Sequence, residues 1–246
     1  MIDIHCHILP GIDDGPQTLG QAVEMARIAW ADGITDIIAT PHTHDDFYVQ
    51  EAERVLEAVE SFQTILELEG IPLRIHPGME VHIHWELIDH LRDAHLLSLG
   101  NHMKHVLLEL PSLHLPLFTE EVVQQLLLQG ITPVIAHPER NAVLMNHTGM
   151  LAQWIEWGVV CQITAGSLLG WLGNTAQKNA RALVGQRLVH LLASDGHNCN
   201  TRKIELSQAY EELGKLMLAS EVDVYRANAQ AILEGQACDT RKFSFF

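Results

Sequence analysis

The sequence predicts an α/β fold of repeated strand–helix units, either a barrel or a doubly wound sheet. Three observations predict it. Seven short apolar runs recur along the 246 residues, at Ile2–His5, Ile34–Thr40, Leu73–His76, Val106–Leu110, Pro133–His137, Val160–Thr164 and Leu188–Ser194. Their starts lie 27 to 39 residues apart, room for a strand, a helix and two loops each time, as parallel strands with crossover helices require. Most of the runs also end abruptly in histidines and carboxylates.

The intervening helices are legible. Thr18 with Gln21 forms a capping box, Leu19, Ala22, Val23, Ala26, Ala29 and Trp30 make one apolar stripe, and Gly33 ends that helix. Thr119 with Glu120 and Glu121 opens another, which Gly130 closes. After the seventh run, Arg202–Leu218 and Val222–Leu233 read as two closing helices. No low-complexity tract, Pro/Gly/Ser-rich linker or long block of like charge interrupts the pattern, so residues 1–246 read as a single domain.

Composition narrows the function. With 47% hydrophobic and 19% charged residues the chain can fill a sizeable core, which excludes global disorder. No run approaches the roughly 18 apolar residues of a membrane span. The opening Met1-Ile2-Asp3-Ile4-His5 has neither a basic nor an apolar signal region, so a cytoplasmic location is expected. Cys6, Cys161, Cys199 and Cys238 form no C-x-x-C pair and read as reduced thiols. The net charge of −16 repels nucleic acid and anionic lipid, although bound cations could still present an anionic substrate with a positive pocket. Nucleotide-binding glycine loops, a Cys with an Arg six positions on, and a G-x-S-x-G elbow are all absent.

The polar residues sit at the strand ends: His5-Cys6-His7, Pro41-His42, Glu80 shortly after the third run, Glu109, His137-Pro138-Glu139-Arg140 and Ser194-Asp195-Gly196-His197. In a parallel β/α barrel the strand C-termini open on one face, which would gather these six segments in one place. His5 and His7, two apart on an extended segment, point the same way and can chelate one ion. The turn Gly11-Ile12-Asp13-Asp14-Gly15 adds carboxylates that serve equally well in an ordinary Asx turn. Glu109 and Asp195 follow apolar runs, where an ionised carboxylate is costly unless paired or metal-bound. Imidazole mixed with carboxylate suits Mn²⁺, Zn²⁺ or iron. Arg140 and Arg202, the latter read as lying at a helix start, could clamp a phosphate, or could pair with Glu139 and face solvent respectively. His82, His84, His90, His95, His102, His105, His114, His147 and His190 read as surface or packing residues, with His44 and His76 intermediate.

Six ordered blocks then carry a resemblance: Met1 to Gly15, Ile38-Ala39-Thr40-Pro41-His42, Gly78-Met79-Glu80-Val81, Leu108-Glu109-Leu110-Pro111, Ala136 to Asn141 and Ala193 to Asn198. They resemble the bacterial tyrosine-protein phosphatases of the polymerase and histidinol phosphatase (PHP) superfamily, the capsular or exopolysaccharide phosphatases of the CpsB/YwqE type. The resemblance implies a distorted (β/α)7 barrel, TIM-barrel-like, with three divalent metal ions, most often Mn²⁺, Fe or Zn being alternatives. It implies one ion on His5, His7, Glu80 and Asp195, a second on Glu80, Glu109 and His137, and a third on Asp14, His42 and His197. Asp13 stands as an alternative to Asp14. Arg140 and Arg202 would contact phosphate, with Asp195 beside them in catalysis. The implied activity is hydrolysis of phosphotyrosine on a protein, with a bacterial tyrosine autokinase controlling polysaccharide export as the partner. The stretch Thr43-His44-Asp45-Asp46-Phe47-Tyr48 departs from the family pattern at the rim. A phosphatase for a small metabolite such as histidinol phosphate would use the same core. Glu109, where many amidohydrolases carry a carboxylated Lys, argues against that class, and the full ligand set argues against a non-catalytic scaffold.

Overall fold

A computed structural model describes residues 1–43 and 47–240. In chain order the elements are β1 (Ile2–Cys6), α1 (Leu19–Ala31), β2 (Asp36–Ala39), β3 (His42–Thr43), α2 (Ala52–Leu68), β4 (Arg74–Pro77), β5 (Glu80–His82), α3 (Leu87–Arg92), β6 (His105–Glu109) and α4 (Thr119–Leu128). They continue through β7 (Thr132–Ala136), α5 (Ala142–Asn146), α6 (Thr148–Trp157), β8 (Val160–Thr164), α7 (Ala165–Leu169), α8 (Asn174–Gly185), β9 (Leu191–Ala193), α9 (Ser207–Leu216) and α10 (Ala219–Leu233). Each predicted apolar run falls on a strand.

The strands form two parallel ladders, β1-β2-β4 and β3-β5-β6-β7-β8-β9. Seven staves are present, but two are broken. The second is β2 with β3, interrupted at Thr40-Pro41, and the third is β4 with β5, interrupted at Gly78-Met79. Proline has no N–H to give a ladder. A side chain on Gly78 would come within 2.7 Å of Ile38 Cγ2, so the chain there can pass its neighbour only as glycine. The Glu80 N–H donating to Pro41 O at 3.1 Å keeps the broken staves together. The ring comes round through a bridge from Cys6 to Gly196, flanked by bonds from Asp195 N to His5 O and His7 N to Gly196 O, both 2.9 Å. The expected barrel is therefore an interrupted ring that does not close as one continuous sheet.

Side chains alternate across the strands as period two demands. Ile4, Leu107, Val134, Val160 and Leu191 pack inside the ring with Ala229 and Ile232 of α10. Val106, Ile135, Cys161 and Leu192 face the surrounding helices. α10 covers the end where strands enter: Asn228 Nδ2 donates to His190 O at 3.1 Å, and His102 Nε2 to Leu233 O at 2.9 Å. The opposite end, where strands leave, stays open to solvent-facing loops.

Three helix readings change, those of α1, α9 and α10, the last beginning at Ala219 rather than Val222. The capping box of α1 forms, with Gln21 N to Thr18 Oγ1 at 3.3 Å and Thr18 N to Gln21 Oε1 at 3.2 Å, but Leu19 and Trp30 are exposed and Met25 joins Ala22, Ala26 and Ala29 on the buried stripe. Those four residues keep the i, i+3, i+4, i+7 spacing of one helix face. α4 opens at Thr119 as read, and the Thr119 hydroxyl turns back to donate to Pro116 O at 2.8 Å. The first closing helix begins at Ser207 rather than Arg202, because Asp32 from α1's end accepts from Leu206 N at 2.6 Å and Ser207 N at 3.0 Å. Among the described residues no helix is long and apolar enough to cross a membrane.

Candidate metal centre

The strand ends bring the predicted residues together in three overlapping groups: His5, His7, Glu80 and Asp195; His7, Asp14, His42 and His197; and His42, Glu80 and Glu109. Within each group the donor atoms lie within 4.8 Å of one another. The first matches the predicted set. The second contains Asp14, His42 and His197 as expected and adds His7. The third departs from expectation: His42 stands with Glu80 and Glu109, while His137 lies outside, its Nε2 2.7 Å from Glu80 Oε1. His42 reaches both groups because it begins β3, opposite Glu80 in the ladder.

Backbone geometry aims these side chains. His137 and Asp195, each just past the end of a strand, have φ of 33° and 52°, the left-handed region that non-glycine residues rarely adopt. Such strain persists where surroundings over-determine it, as the Asp195 N to His5 O bond does here. In the turn after β1, a side chain on Gly15 would collide with the His7 carbonyl oxygen, so glycine lets the Asp13-Asp14 loop fold back onto His7. Asp13 and Asp14 then separate. Asp13 Oδ2 accepts from His7 Nδ1 at 2.6 Å and from His42 N at 3.0 Å, whereas Asp14 Oδ1 lies 3.1 Å from His197 Nε2.

Partners on the far side of each ring fix the tautomers. His5 Nδ1 donates to Gln162 Oε1 at 2.9 Å, His7 Nδ1 to Asp13, and His197 Nδ1 to Asp195 O at 2.9 Å. Each neutral ring is left with its Nε2 lone pair turned inward, the arrangement that orients histidines toward a cation. The two inward nitrogens of His5 and His7 are 3.2 Å apart. Glu80 Oε2 is 3.2 Å from the first, 3.3 Å from the second and 3.1 Å from His42 Nδ1, yet this buried oxygen makes no hydrogen bond. Imidazole nitrogens and carboxylate oxygens converging this closely fit a cation. Ordinary packing does not explain them.

The charges agree. Burial would raise Glu80, but His5 and His42 hold its carboxyl well below the usual range; Asp195 is likewise held down against burial by Arg140, His5 and Arg202. Burial and the Glu80 charge push Glu109 up, and hydrogen bonds with His42 and His82 outweigh them to leave it at about 2. Burial works against a charged His7, but Asp13 and Glu80 raise it to about 10, so in the absence of a cation a proton answers the same negative field. Burial and repulsion from His7 lower His197 to about 4.

The arginines flank this cluster. Arg140 Nη2 lies 2.6 Å from Asp195 Oδ2, and Arg202 Nη2 is 2.8 Å from each Asp195 oxygen. Neither the pairing with Glu139 nor the solvent-facing helix start is seen: Glu139 is buried and accepts from Thr164 N at 3.0 Å, and Arg202 is held near β9 by Asn198 Oδ1, which accepts from Thr201 N at 2.8 Å and Arg202 N at 3.2 Å. His82, which the sequence places at the surface or in packing, instead has its Nδ1 3.3 Å from Glu109 Oε2. Its position, two residues after Glu80 on an alternating strand, was the signal. His105 and His190 are buried packing residues, and His76 pairs with Asp36 at 3.0 Å. His44, Asp45 and Asp46 lie outside the described residues.

Parallel staves with convergent ligands at their C-terminal ends place the chain among the β/α-ring folds. A β-aspartyl dipeptidase from Fervidobacterium islandicum (16% identical) and an organophosphorus hydrolase (13%) share the fold, each at a TM-score of 0.55. Residues 1–234 match the model of the CpsB/CapC family of capsular polysaccharide synthesis, and the chain belongs to that family. Tyrosine-protein phosphatase YwqE of Bacillus subtilis is 40% identical over 236 residues, covering 96% of this chain and 92% of the relative. Tyrosine-protein phosphatase CpsB of Streptococcus pneumoniae is 28% identical, covering 87% and 90%. A crystal structure from a study of YwqE and CpsB as unique metal-dependent tyrosine phosphatases superposes at a TM-score of 0.94, with 39% identity and coverage of 97% of this chain and 96% of that one.

Proposed function

We propose that this protein is a metal-dependent protein-tyrosine phosphatase acting in capsular or exopolysaccharide synthesis. The observation that carries the proposal is the set of inward histidine nitrogens around the buried, unbonded Glu80 Oε2. Family membership and the printed activity of the relatives support it. Three divalent cations, Mn²⁺ first among them, fit the three ligand groups. When bound, they would neutralise the phosphoryl oxygens and generate a hydroxide from water at neutral pH for in-line attack on phosphorus.

The chain's own residues do the rest. His5, His7 and His197 are locked by Gln162, Asp13 and the Asp195 carbonyl, so the ligands need no reorganisation. Arg140 and Arg202, about a quarter exposed and anchored through Asp195, can turn a guanidinium edge to the equatorial phosphoryl oxygens and offset their charge. A tyrosine leaving group, with a pKa near ~10, departs without a strong general acid. The substrate would be a tyrosine-phosphorylated protein, a bacterial tyrosine kinase being the partner that the family context favours. A cytoplasmic location accords with four free cysteines.

Initial rates on a phosphotyrosine peptide, a phosphoserine peptide and histidinol phosphate, each with Mn²⁺ and after chelation, test the reading. Hydrolysis of phosphotyrosine that is lost on chelation and restored by Mn²⁺ is expected. Full activity in metal-stripped protein, or preference for histidinol phosphate, overturns it.

A further inference from the structure

The open end of the ring is chemically divided. On the side of the fifth and seventh staves stand Arg140 and Arg202, with Lys203 next along the chain, its ammonium 5.5 Å from the centre of the Trp171 ring. On the opposite side, the loops after β3, β5 and β6 present large apolar side chains to solvent. Phe47 is 87% exposed, Trp85 51% and Leu113 82%, and Leu117 is fully exposed. Trp85 meets Phe118 edge to face at 5.9 Å, joining the second loop to the third. Tyr48 lies nearly parallel to the ring of His42, 6.2 Å away, and so carries the apolar side up to the candidate metal centre. These loops follow adjacent staves, since β3, β5 and β6 are neighbours in one ladder.

Exposed apolar side chains gathered on one rim mark a surface that another molecule covers. Two features select the occupant. The rim meets the metal centre at Tyr48, whose ring lies beside that of His42, so what lies on it is close to what reacts. The chain's net charge of −16 opposes acidic segments, and Arg140, Arg202 and Lys203 stand on the phosphate side of the mouth.

We propose that the rim formed by Phe47, Tyr48, Trp85, Leu113 and Leu117 binds the polypeptide on either side of the phosphotyrosine, and that it selects apolar over acidic flanking residues. The inference rests on the phosphatase reading above. The phosphate would enter toward Arg140 and Arg202, and the peptide would leave over the aromatic rim, so recognition of the phosphate and of its carrier fall on opposite sides of the mouth.

The test compares Phe47→Ala, Trp85→Ala and Leu117→Ser with the parent on three Mn²⁺-supported substrates: p-nitrophenyl phosphate, a phosphotyrosine peptide with leucine and valine flanks, and one with glutamate flanks. The parent should prefer the apolar peptide. The variants should lose at least about fivefold in kcat/KM on that peptide, chiefly through KM, and keep hydrolysis of p-nitrophenyl phosphate within twofold. Equal losses on peptide and small ester, unchanged peptide kinetics, or a parental preference for the acidic peptide would overturn the proposal. So would a change in oligomeric state on size-exclusion chromatography with peptide kinetics intact, which would assign the rim to a second copy of the chain. If the parent hydrolyses none of the three esters, the phosphatase reading itself fails, a result distinct from any of these.

Discussion

Asp13 holds His7 from behind. The carboxylate Oδ2 accepts from His7 Nδ1 at 2.6 Å, and that bond turns His7 Nε2 toward Glu80 and Asp195. Asp13→Ala should therefore weaken Mn²⁺ binding about 10- to 100-fold without removing a ligand, the range found for partners of metal-bound histidines. Isothermal titration with Mn²⁺ reads this directly, and an affinity equal to the parent's would show that the contact does not orient the ring.

Arg140 and Arg202 share one carboxylate, so their removal should be non-additive. Each single alanine variant is expected to lower kcat on a phosphotyrosine peptide by about 100-fold, with the double variant well short of the product of the two. Arg140→Lys should restore little, since an ammonium cannot reproduce the forked contact. Retention of kcat within twofold in Arg140→Ala would remove that residue from catalysis.

Cation binding should stabilise the fold, because it answers the crowded negative charge of Asp14, Glu80, Glu109 and Asp195. At a free Mn²⁺ concentration of about 100 times Kd, one site contributes about 2.7 kcal/mol, which for a chain of this size raises Tm by about 5–10 °C. Differential scanning calorimetry with and without chelator measures the shift. Glu80→Gln should lose most of it, and an undiminished shift in that variant would place the stabilising ion elsewhere.

Acid sensitivity should come partly from the closed end of the ring. His190 is fully buried, and burial lowers its pKa to about 4. Above pH ~6.5 the ring is neutral in both folded and unfolded chains and pH has no effect through it. As pH falls from there toward 4 the unfolded chain takes up a proton that the folded one refuses, so stability drops, by at most about 1.4 kcal/mol per pH unit from this residue. His190→Gln should flatten the fall of denaturation midpoint between pH 6.5 and 4 relative to the parent. Parallel profiles for the two proteins would exclude His190 as a source.

Much of this protein was legible in one dimension. Parallel strands buried on both faces must read as apolar runs, and crossover helices must separate them, so the spacing of Ile34–Thr40, Val106–Leu110 and Val160–Thr164 already set the class of fold. The site was legible for a related reason. A carboxylate such as Glu109 at the end of an apolar strand is expensive without a partner, so its presence there announces one. Of the nine candidate ligands all but Asp14 stood at or just past strand ends, and all but His137 fall in the three clusters.

What the chain could not state was anything decided by atoms distant in sequence. The choice between Asp13 and Asp14 depends on how Gly15 folds the turn onto the His7 carbonyl. The partnership of His42 with Glu80 and Glu109 depends on the register of β3 against β5, two-stave fragments created by breaks at Pro41 and Gly78. The start of α9 is set by Asp32, 174 residues before Leu206, and the placement of Arg140 by Asp195, 55 residues after it. Local sequence fixes periodicity and the cost of burying a charge, because both act over a few residues. Which charge answers which is a matter of geometry across the ring, and that exists only when the seven staves have come together.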